Sequence, residues 1–378
     1  MTEAQKSLLE HLAASLFGKP TEREVTQEVI TEARQQAVVT LLPCESYKGY
    51  WNVVRHNVSV TMAHQRLHDV MTENGVPYAT IKGVASAAYY PAPDLRQMGD
   101  VDFIVRKEDV DRVCALLESK GFVSHHEKRE HHVEYSDGSV SWELHWQVPG
   151  LPDEHEGVRY FDDLIDQAEF VDCCMAASAF HHGLILLTHS AGHMLSCGIG
   201  LRHLCDWAVF YAAFDEERFC EMFEKPLREI GLWKYAQIMT AACMKYLHSP
   251  ERKWPGEHDE QLLEAVIEDI VTSGNFGVKD RDRVNQSKLI TDTGTRAVSD
   301  RGFFGSFLTS LARRARQVFP ACERHGWLLP AGMLYAGVGA LVHIAQKRRP
   351  AVHMGKTFTG ARKRKEIYQH FKLFQPEE

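Results

Sequence analysis

The chain has 378 residues, of which 44% are hydrophobic and 25% charged, with a formal net charge of −8. These are globular proportions, which exclude a disordered, collagen-like or disulfide-scaffold protein, and the length suits two or three domains. The mild acidity excludes a surface coated throughout in nucleic acid, yet residues 301–378 carry 14 basic against 4 acidic side chains, a net +10 that leaves −18 for residues 1–300.

Leu8, Leu9, Leu12 and Leu16, then Val25, Val29 and Ile30, recur at helical spacing, so residues 1–62 read as helices. The first of them carries acidic residues and lacks the basic start and unbroken apolar stretch of a signal peptide. From Met62 a helix runs to the stop pattern Asn74-Gly75. VPYATIK follows as a short strand, and GVASAAYY is a small-residue helix that must end before Pro91. DVDFIV is a strand, EDVDRVCALLESKG an amphipathic helix closed by Gly121, and FVSHH an extended stretch.

HHVEYSDGSVSWELHWQV predicts two strands joined at Asp137-Gly138. With a two-residue turn there, Ser136 faces Ser139, Val133 faces Trp142 and His132 faces Glu143. One hairpin face then holds Val133, Tyr135, Val140, Trp142, Leu144 and Trp146, and the other His132, Glu134, Ser141, Glu143 and His145. Beyond Pro149 the strand signal fades. Residues 160–270 are helical in period, and residues 274–301, polar and rich in Gly, Asp and Asn, read as a long loop.

Gly326–Gln346 holds no Asp, Glu, Lys or Arg and precedes Lys347-Arg348-Arg349. Its length suits a membrane span. Pro330 and four glycines favour instead a buried or groove-packed helix, so membrane association is not expected. The basic residues of 347–378, including Arg362-Lys363-Arg364-Lys365, read as a solvated tail or as a contact for an anionic partner such as RNA. The order of elements gives an α+β fold, a small mixed sheet with helices, divided as 1–62 (N-terminal helices), 63–150 (the sheet core), 151–346 (helical) and 347–378 (basic tail). Nine cysteines without a C-x-x-C pair suggest a reduced, cytoplasmic chain.

The chemistry gathers around Lys82-Gly83 and Arg96-Gln97-Met98-Gly99-Asp100-Val101-Asp102. Residues i and i+2 of a strand share a face, so Asp100 and Asp102 project together while Val101, Phe103 and Val105 point to a core. Adjacent carboxylates repel unless a cation sits between them, and oxygen ligation suits Mg²⁺. A solvated acidic turn is the other reading of this spacing. Glu143, on the polar face of the hairpin, is available as a third carboxylate, and His132 and His145 share that face. His189 and His193 lie one helical turn apart, a zinc-like spacing without the general base of H-E-x-x-H, and Arg202 and Asp206 have the spacing of an intrahelical ion pair.

Ile81-Lys82-Gly83, Tyr90-Pro91, Arg96-x-x-Gly99-Asp100-x-Asp102 and Glu143-Leu144-His145-Trp146 together resemble the nucleotidyltransferase superfamily built on the DNA polymerase β-type core, and within it a branch of bacterial uncharacterised nucleotidyltransferases. The resemblance covers roughly residues 66–148 and continues more loosely into the helical half. It makes 63–150 the catalytic core, with Asp100, Asp102 and Glu143 as catalytic ligands of two Mg²⁺ ions, Mn²⁺ being an alternative. It implies a triphosphate clamp of Lys82, Gly83, Ser86, Arg96 and Gly99, with Ser86 and Lys82-Gly83 in place of the commoner G-[GS] signature, and substrate or supporting roles for His132 and His145. The implied reaction moves a nucleoside monophosphate from an NTP such as ATP to a hydroxyl on a small molecule, a protein or an RNA end, releasing pyrophosphate. The alternative is a non-catalytic nucleotide-binding module on the same fold.

Overall fold

The computed structural model describes residues 1–124, 131–152, 154–280, 282–291, 303–319, 321–345 and 354–377. His125, His126, Lys347, Arg348 and Arg349 lie outside them. The sheet comprises β1 (Tyr78–Thr80), β2 (Asp100–Val105), β3 (Val123–Ser124), β4 (His132–Ser136), β5 (Ser141–His145), β6 (Glu169–Val171) and β7 (Cys174–Ala176), in the order β3-β4-β5-β2-β1-β7-β6. It is mixed: β2 runs antiparallel to β1 and parallel to β5, and β1 runs parallel to β7. With helices before and after it, the fold is α+β, as the order of elements predicts.

Helices α1 (Glu3–Phe17), α2 (Gln27–Gln35) and α3 (Lys48–Glu73) precede the sheet. α3 starts fourteen residues before the expected Met62, because Tyr50, Asn57, Val60, Ala63, Leu67 and Val70 keep one buried stripe along the whole helix. Together with α5 (Val110–Ser119) it covers the sheet face formed by Val101, Phe103, Val105, Tyr135, Trp142 and Leu144. α4 (Val84–Ala87) is a single turn after β1.

The hairpin keeps its predicted faces but not its register. Ser136 pairs with Ser141, Tyr135 with Trp142, Glu134 with Glu143 and His132 with His145, a shift of two residues. The Asp137 carboxylate accepts the amides of Ser139 and Val140, at 2.8 Å each, which stabilises a four-residue loop in place of the two-residue turn. A two-residue shift preserves both faces, so burial does not distinguish the registers. The β6–β7 hairpin has no counterpart in the sequence reading, since strands of three residues carry too little periodicity to register.

The rest is helical: α6 (Ala179–Met194), α7 (Leu201–Ala212), α8 (Glu216–Ile230), α9 (Trp233–Tyr246), α10 (Glu260–Ser273), α11 (Arg283–Ile290), α12 (Phe303–Val318), α13 (Ala321–Arg324), α14 (Leu329–Ala345) and α15 (Met354–Phe371). α1 and α2 share one apolar core with α6–α10 and α15, through Leu8, Leu12 and Val29 beside Leu204, Phe210 and Ile267. α11 interrupts the expected 274–301 loop. α15 corrects the solvated-tail reading: Tyr368, Phe371 and Leu373 are buried. Its basic run is largely paired, Arg362 with Glu366, Lys363 with Glu268, and Arg364 with Asp269 and Asp280.

α14 begins after a short 3₁₀ turn, with Pro330 in its first turn, and lies against α12 rather than in a closed groove. Trp327, Leu334, Tyr335 and Val338 are exposed, contrary to the buried-helix expectation. No described helix is long and apolar enough to cross a membrane. All nine cysteines are free thiols.

Sheet and helices are tied together by a buried ion pair. Arg96, just before β2, donates Nε and Nη2 to the two carboxylate oxygens of Asp206 on α7, at 2.8 and 2.7 Å, and Tyr90 donates to the same carboxylate at 2.7 Å. Asp206 therefore makes its direct ion pair with Arg96 and not with Arg202, correcting the intrahelical pair. Asp206→Ala leaves the Arg96 guanidinium buried without a counter-charge and is expected to cost about 3–5 kcal/mol in urea unfolding. Replacing both partners with apolar residues, Arg96→Met with Asp206→Leu, is expected to cost less than the single change.

Candidate functional site

β2 alternates Asp100, Asp102 and Ile104 on one face with Val101, Phe103 and Val105 on the other. The parallel register with β5 sets Asp102 beside Glu143 and Asp100 beside Ser141, while β4 brings Glu134 next to Glu143. Ligand atoms of Asp102, Glu143 and His145 lie within 4.8 Å of one another, the one such group of three or more potential metal-ligating side chains among the described residues. His145 Nε2 is 3.1 Å from Asp102 Oδ1 and 3.3 Å from Glu143 Oε2. The His132 ring stacks loosely beside it, with ring centres 5.4 Å apart.

Lys82 enters from the end of β1, where Ile81 still donates its amide to the Asp102 carbonyl. Its ammonium is 2.7 Å from Asp102 Oδ1 and 3.3 Å from His189 Nε2 on α6. Asp102 is only 2% exposed. Burial alone would raise its carboxyl, but Lys82 and the hydrogen bond from His145 hold it well below the usual carboxylate range. Asp100 goes the other way: repulsion from Asp102, then burial, push it up to about 7 against the opposing pull of Lys82. Burial disfavours the charged forms of Lys82 and His145, yet the carboxylates outweigh it and raise both. Carboxylates that repel this strongly, with Glu143 and an imidazole beside them, are a donor set that fits a hard divalent cation.

The approach to β2 is pinned by a residue that the sequence reading missed. Asn57 on α3 donates to the carbonyls of Asp94 (2.9 Å) and Arg96 (3.0 Å) and accepts the Met98 amide (2.9 Å). An Asn in the middle of an amphipathic stripe was the available signal. His56 Nε2 donates to the Gly99 carbonyl at 3.2 Å. Gly99 has open space where a Cβ would stand, so nothing steric requires glycine there.

The remaining clamp candidates line a small cavity of about 30 Å³ shared by Lys82, Ser86, Arg96, His189, Arg202, His203 and Asp206. The Ser86 hydroxyl and the Arg202 Nε are buried there without a hydrogen-bond partner. Arg96 reaches this cavity but is committed to Asp206 and, at 3.3 Å, to the Gly83 carbonyl. Arg202 contacts the Gln97 carbonyl at 3.3 Å and makes no direct ion pair to Asp206, although Asp206 and Asp100 both act on its charge. His189 and His203 are held well below the usual imidazole range, by burial first and then by Lys82 and Arg202 respectively, so their rings are neutral. His193 Nε2 lies 2.9 Å from His189 Nε2, and the zinc-like pair is thus part of a packed histidine cluster. A roomier cavity of about 400 Å³ near Arg106, Trp146 and Phe161 lies toward the opposite end of β2, away from the carboxylates.

Gly83 caps α4 with φ 59° and ψ −118°. A Cβ there would stand 2.9 Å from the buried His64 ring. Gly83→Ala is therefore expected to lower stability by about 1–3 kcal/mol in urea unfolding, from left-handed strain together with this close approach. Unchanged stability would show that the turn relaxes without the glycine.

The family model described as uncharacterised nucleotidyltransferase matches residues 32–248, more than half of the chain. A comparison with curated proteins finds no match. The matched segment spans Lys82, Arg96, the β2 carboxylates, Glu143, His145 and the α6–α7 wall of the cavity. With the buried Asp–Glu–His cluster at its centre, the chain belongs to the uncharacterised nucleotidyltransferase family and is an enzyme of the transferase class with a nucleotide as substrate.

Proposed function

We propose that the enzyme transfers a nucleoside monophosphate from an NTP, ATP being the first to test, to a hydroxyl acceptor. The acceptor oxygen forms a bond to the α-phosphorus as the bond from that phosphorus to the bridging oxygen breaks, and pyrophosphate leaves. The hydroxyl proton passes to a carboxylate of the cluster. The observation that carries this reading is the register of β2 on β5, which sets Glu143 beside Asp102 with His145 against both.

Asp100, Asp102 and Glu143 are the residues proposed to hold two Mg²⁺ ions, or Mn²⁺ in their place. Bound there, the cations would neutralise triphosphate charge and make the acceptor hydroxyl more acidic. Lys82 has two positions to serve. In the structure it neutralises Asp102 at 2.7 Å. Turned toward phosphate, it releases that carboxylate and places its charge on the nucleotide. Ser86 and Arg202, whose buried Oγ and Nε lack partners, are the groups proposed to meet phosphate oxygens beside it. Gly83 lets the chain turn sharply enough for Lys82 and Ser86 to face the same space. Arg96 positions this wall through Asp206. His145 orients Asp102 and Glu143 with the proton on its Nε2. The acceptor class stays at hydroxyl, on a small molecule, a protein or an RNA end.

The test incubates the protein with each α-labelled NTP, Mg²⁺ and a cell extract, and follows label transfer and pyrophosphate release. Chelation of the metal and Asp100→Asn/Asp102→Asn should each abolish turnover, and His145→Ala should reduce it about 10- to 100-fold. Turnover that survives the double substitution would overturn the assignment. NTP-dependent thermal stabilisation without turnover would indicate the non-catalytic binding module.

A further inference from the structure

A short loop after α10 places an aromatic ring beside the small cavity that Lys82, Ser86 and Arg202 line. Phe276 is 40% exposed, and its ring centre is 5.2 Å from that of His203 and 4.8 Å from that of His193. The Arg202 guanidinium lies over it at 5.4 Å. Two of these three neighbours, His203 and Arg202, also line the cavity with Lys82 and Ser86. The ring is therefore one imidazole away from the groups proposed to meet phosphate.

The backbone holds it there at a cost. Phe276 has φ 52° and ψ 34°, a left-handed conformation that bulky side chains rarely adopt. The loop has little room to relax. A Cβ on Gly277 would stand 2.3 Å from the Cys197 carbonyl, so the chain presses directly on the turn that follows α6. On the far side, Lys279 binds both carboxylate oxygens of Glu32, at 2.6 and 2.8 Å. A large apolar side chain is thus kept in partial contact with solvent by a strained, anchored loop, where burial would ordinarily be the favoured outcome.

We propose that Phe276 is the stacking platform for the nucleobase of the NTP whose phosphates meet Lys82, Ser86 and Arg202. The ribose passes alongside His203, which lies between the platform and the groups proposed to meet phosphate. Arg202 serves both ends, its charge toward phosphate and its guanidinium over the ring. An aromatic face accepts any base, so this platform supplies affinity for a nucleotide over bare polyphosphate and leaves the choice of base to other groups. Phe276 lies outside the family-matched residues 32–248, so this contact comes from a part of the chain that the family match does not cover. The inference rests on the proposed nucleotide site, and the test separates the two.

Calorimetric titration with Mg-ATP and with Mg-tripolyphosphate compares the intact protein with Phe276→Ala and Phe276→Trp. Phe276→Ala is expected to weaken ATP about 5- to 100-fold, the range of one base–aromatic stack, while tripolyphosphate changes less than about two-fold and Phe276→Trp restores ATP binding. Arg202→Ala should weaken both ligands. Equal weakening of ATP and tripolyphosphate by Phe276→Ala, or no weakening of ATP, overturns the platform while leaving the phosphate site in place. Failure of the intact protein to bind either ligand overturns the nucleotide site itself, and the platform with it.

Discussion

A carboxylate buried to 2% exposure and kept ionised is the constraint on which the centre of this molecule depends. Asp102 is stable there because Lys82 arrives from β1 and His145 from β5, each within 3.1 Å of the same oxygen. Both partners are fixed by strand pairing: the backbone bond from Ile81 to Asp102 delivers Lys82, and the parallel register of β5 delivers Glu143 and His145. Asp100 occupies the next position on the same face and bears the consequence, a carboxyl pushed up to about 7 because its neighbour will not give up its charge. The site thus brings together carboxyls that repel one another, a donor set that suits a divalent cation.

The helical half answers this charge distribution from across the cavity. α6 and α7 bring His189, Arg202, His203 and Asp206 to the polar face of the sheet, and Arg96 with Asp206 holds the two layers in register. That pair commits both oxygens of Asp206 to Arg96, and the Arg202 Nε is left buried without a hydrogen-bond partner, as is the Ser86 hydroxyl. Neutral histidines line the remaining wall, adding polar contacts without further positive charge. A second buried knot, Asp269 with Arg283 and Arg364, anchors α15 to α10 and α11 and converts a basic C-terminal run into part of the helical core.

Much of this was legible in the residues. Alternation along DVDFIV and along the hairpin assigned every side chain of β2, β4 and β5 to its face, since a period of two allows no other arrangement once one face is apolar. The hairpin register escaped, because Asp137 captures two amides and makes a longer loop, and a shift by two leaves the burial pattern untouched. The extent of α3 escaped because its stripe passes through Asn57, a polar residue whose three hydrogen bonds to the β2 approach repay its burial. The spacing of Arg202 and Asp206 suggested a local pair; a bidentate partner more than a hundred residues away has no local signature.

Local order along the chain was enough to establish the α+β class, the faces of the sheet, and the identity of the carboxylates and histidines on its polar side. These follow from periodicity and residue chemistry, which act over a few positions, whereas Lys82 was singled out by the resemblance to the nucleotidyltransferase motifs. The pairing of charges was settled in three dimensions: which cation neutralises Asp102 and which carboxylate claims Arg96. So was the position of Phe276, an ordinary loop aromatic until folding sets it between two histidines and Arg202. Electrostatics and burial act through space, and residues far apart in the chain become partners only when the sheet and the helices close on each other.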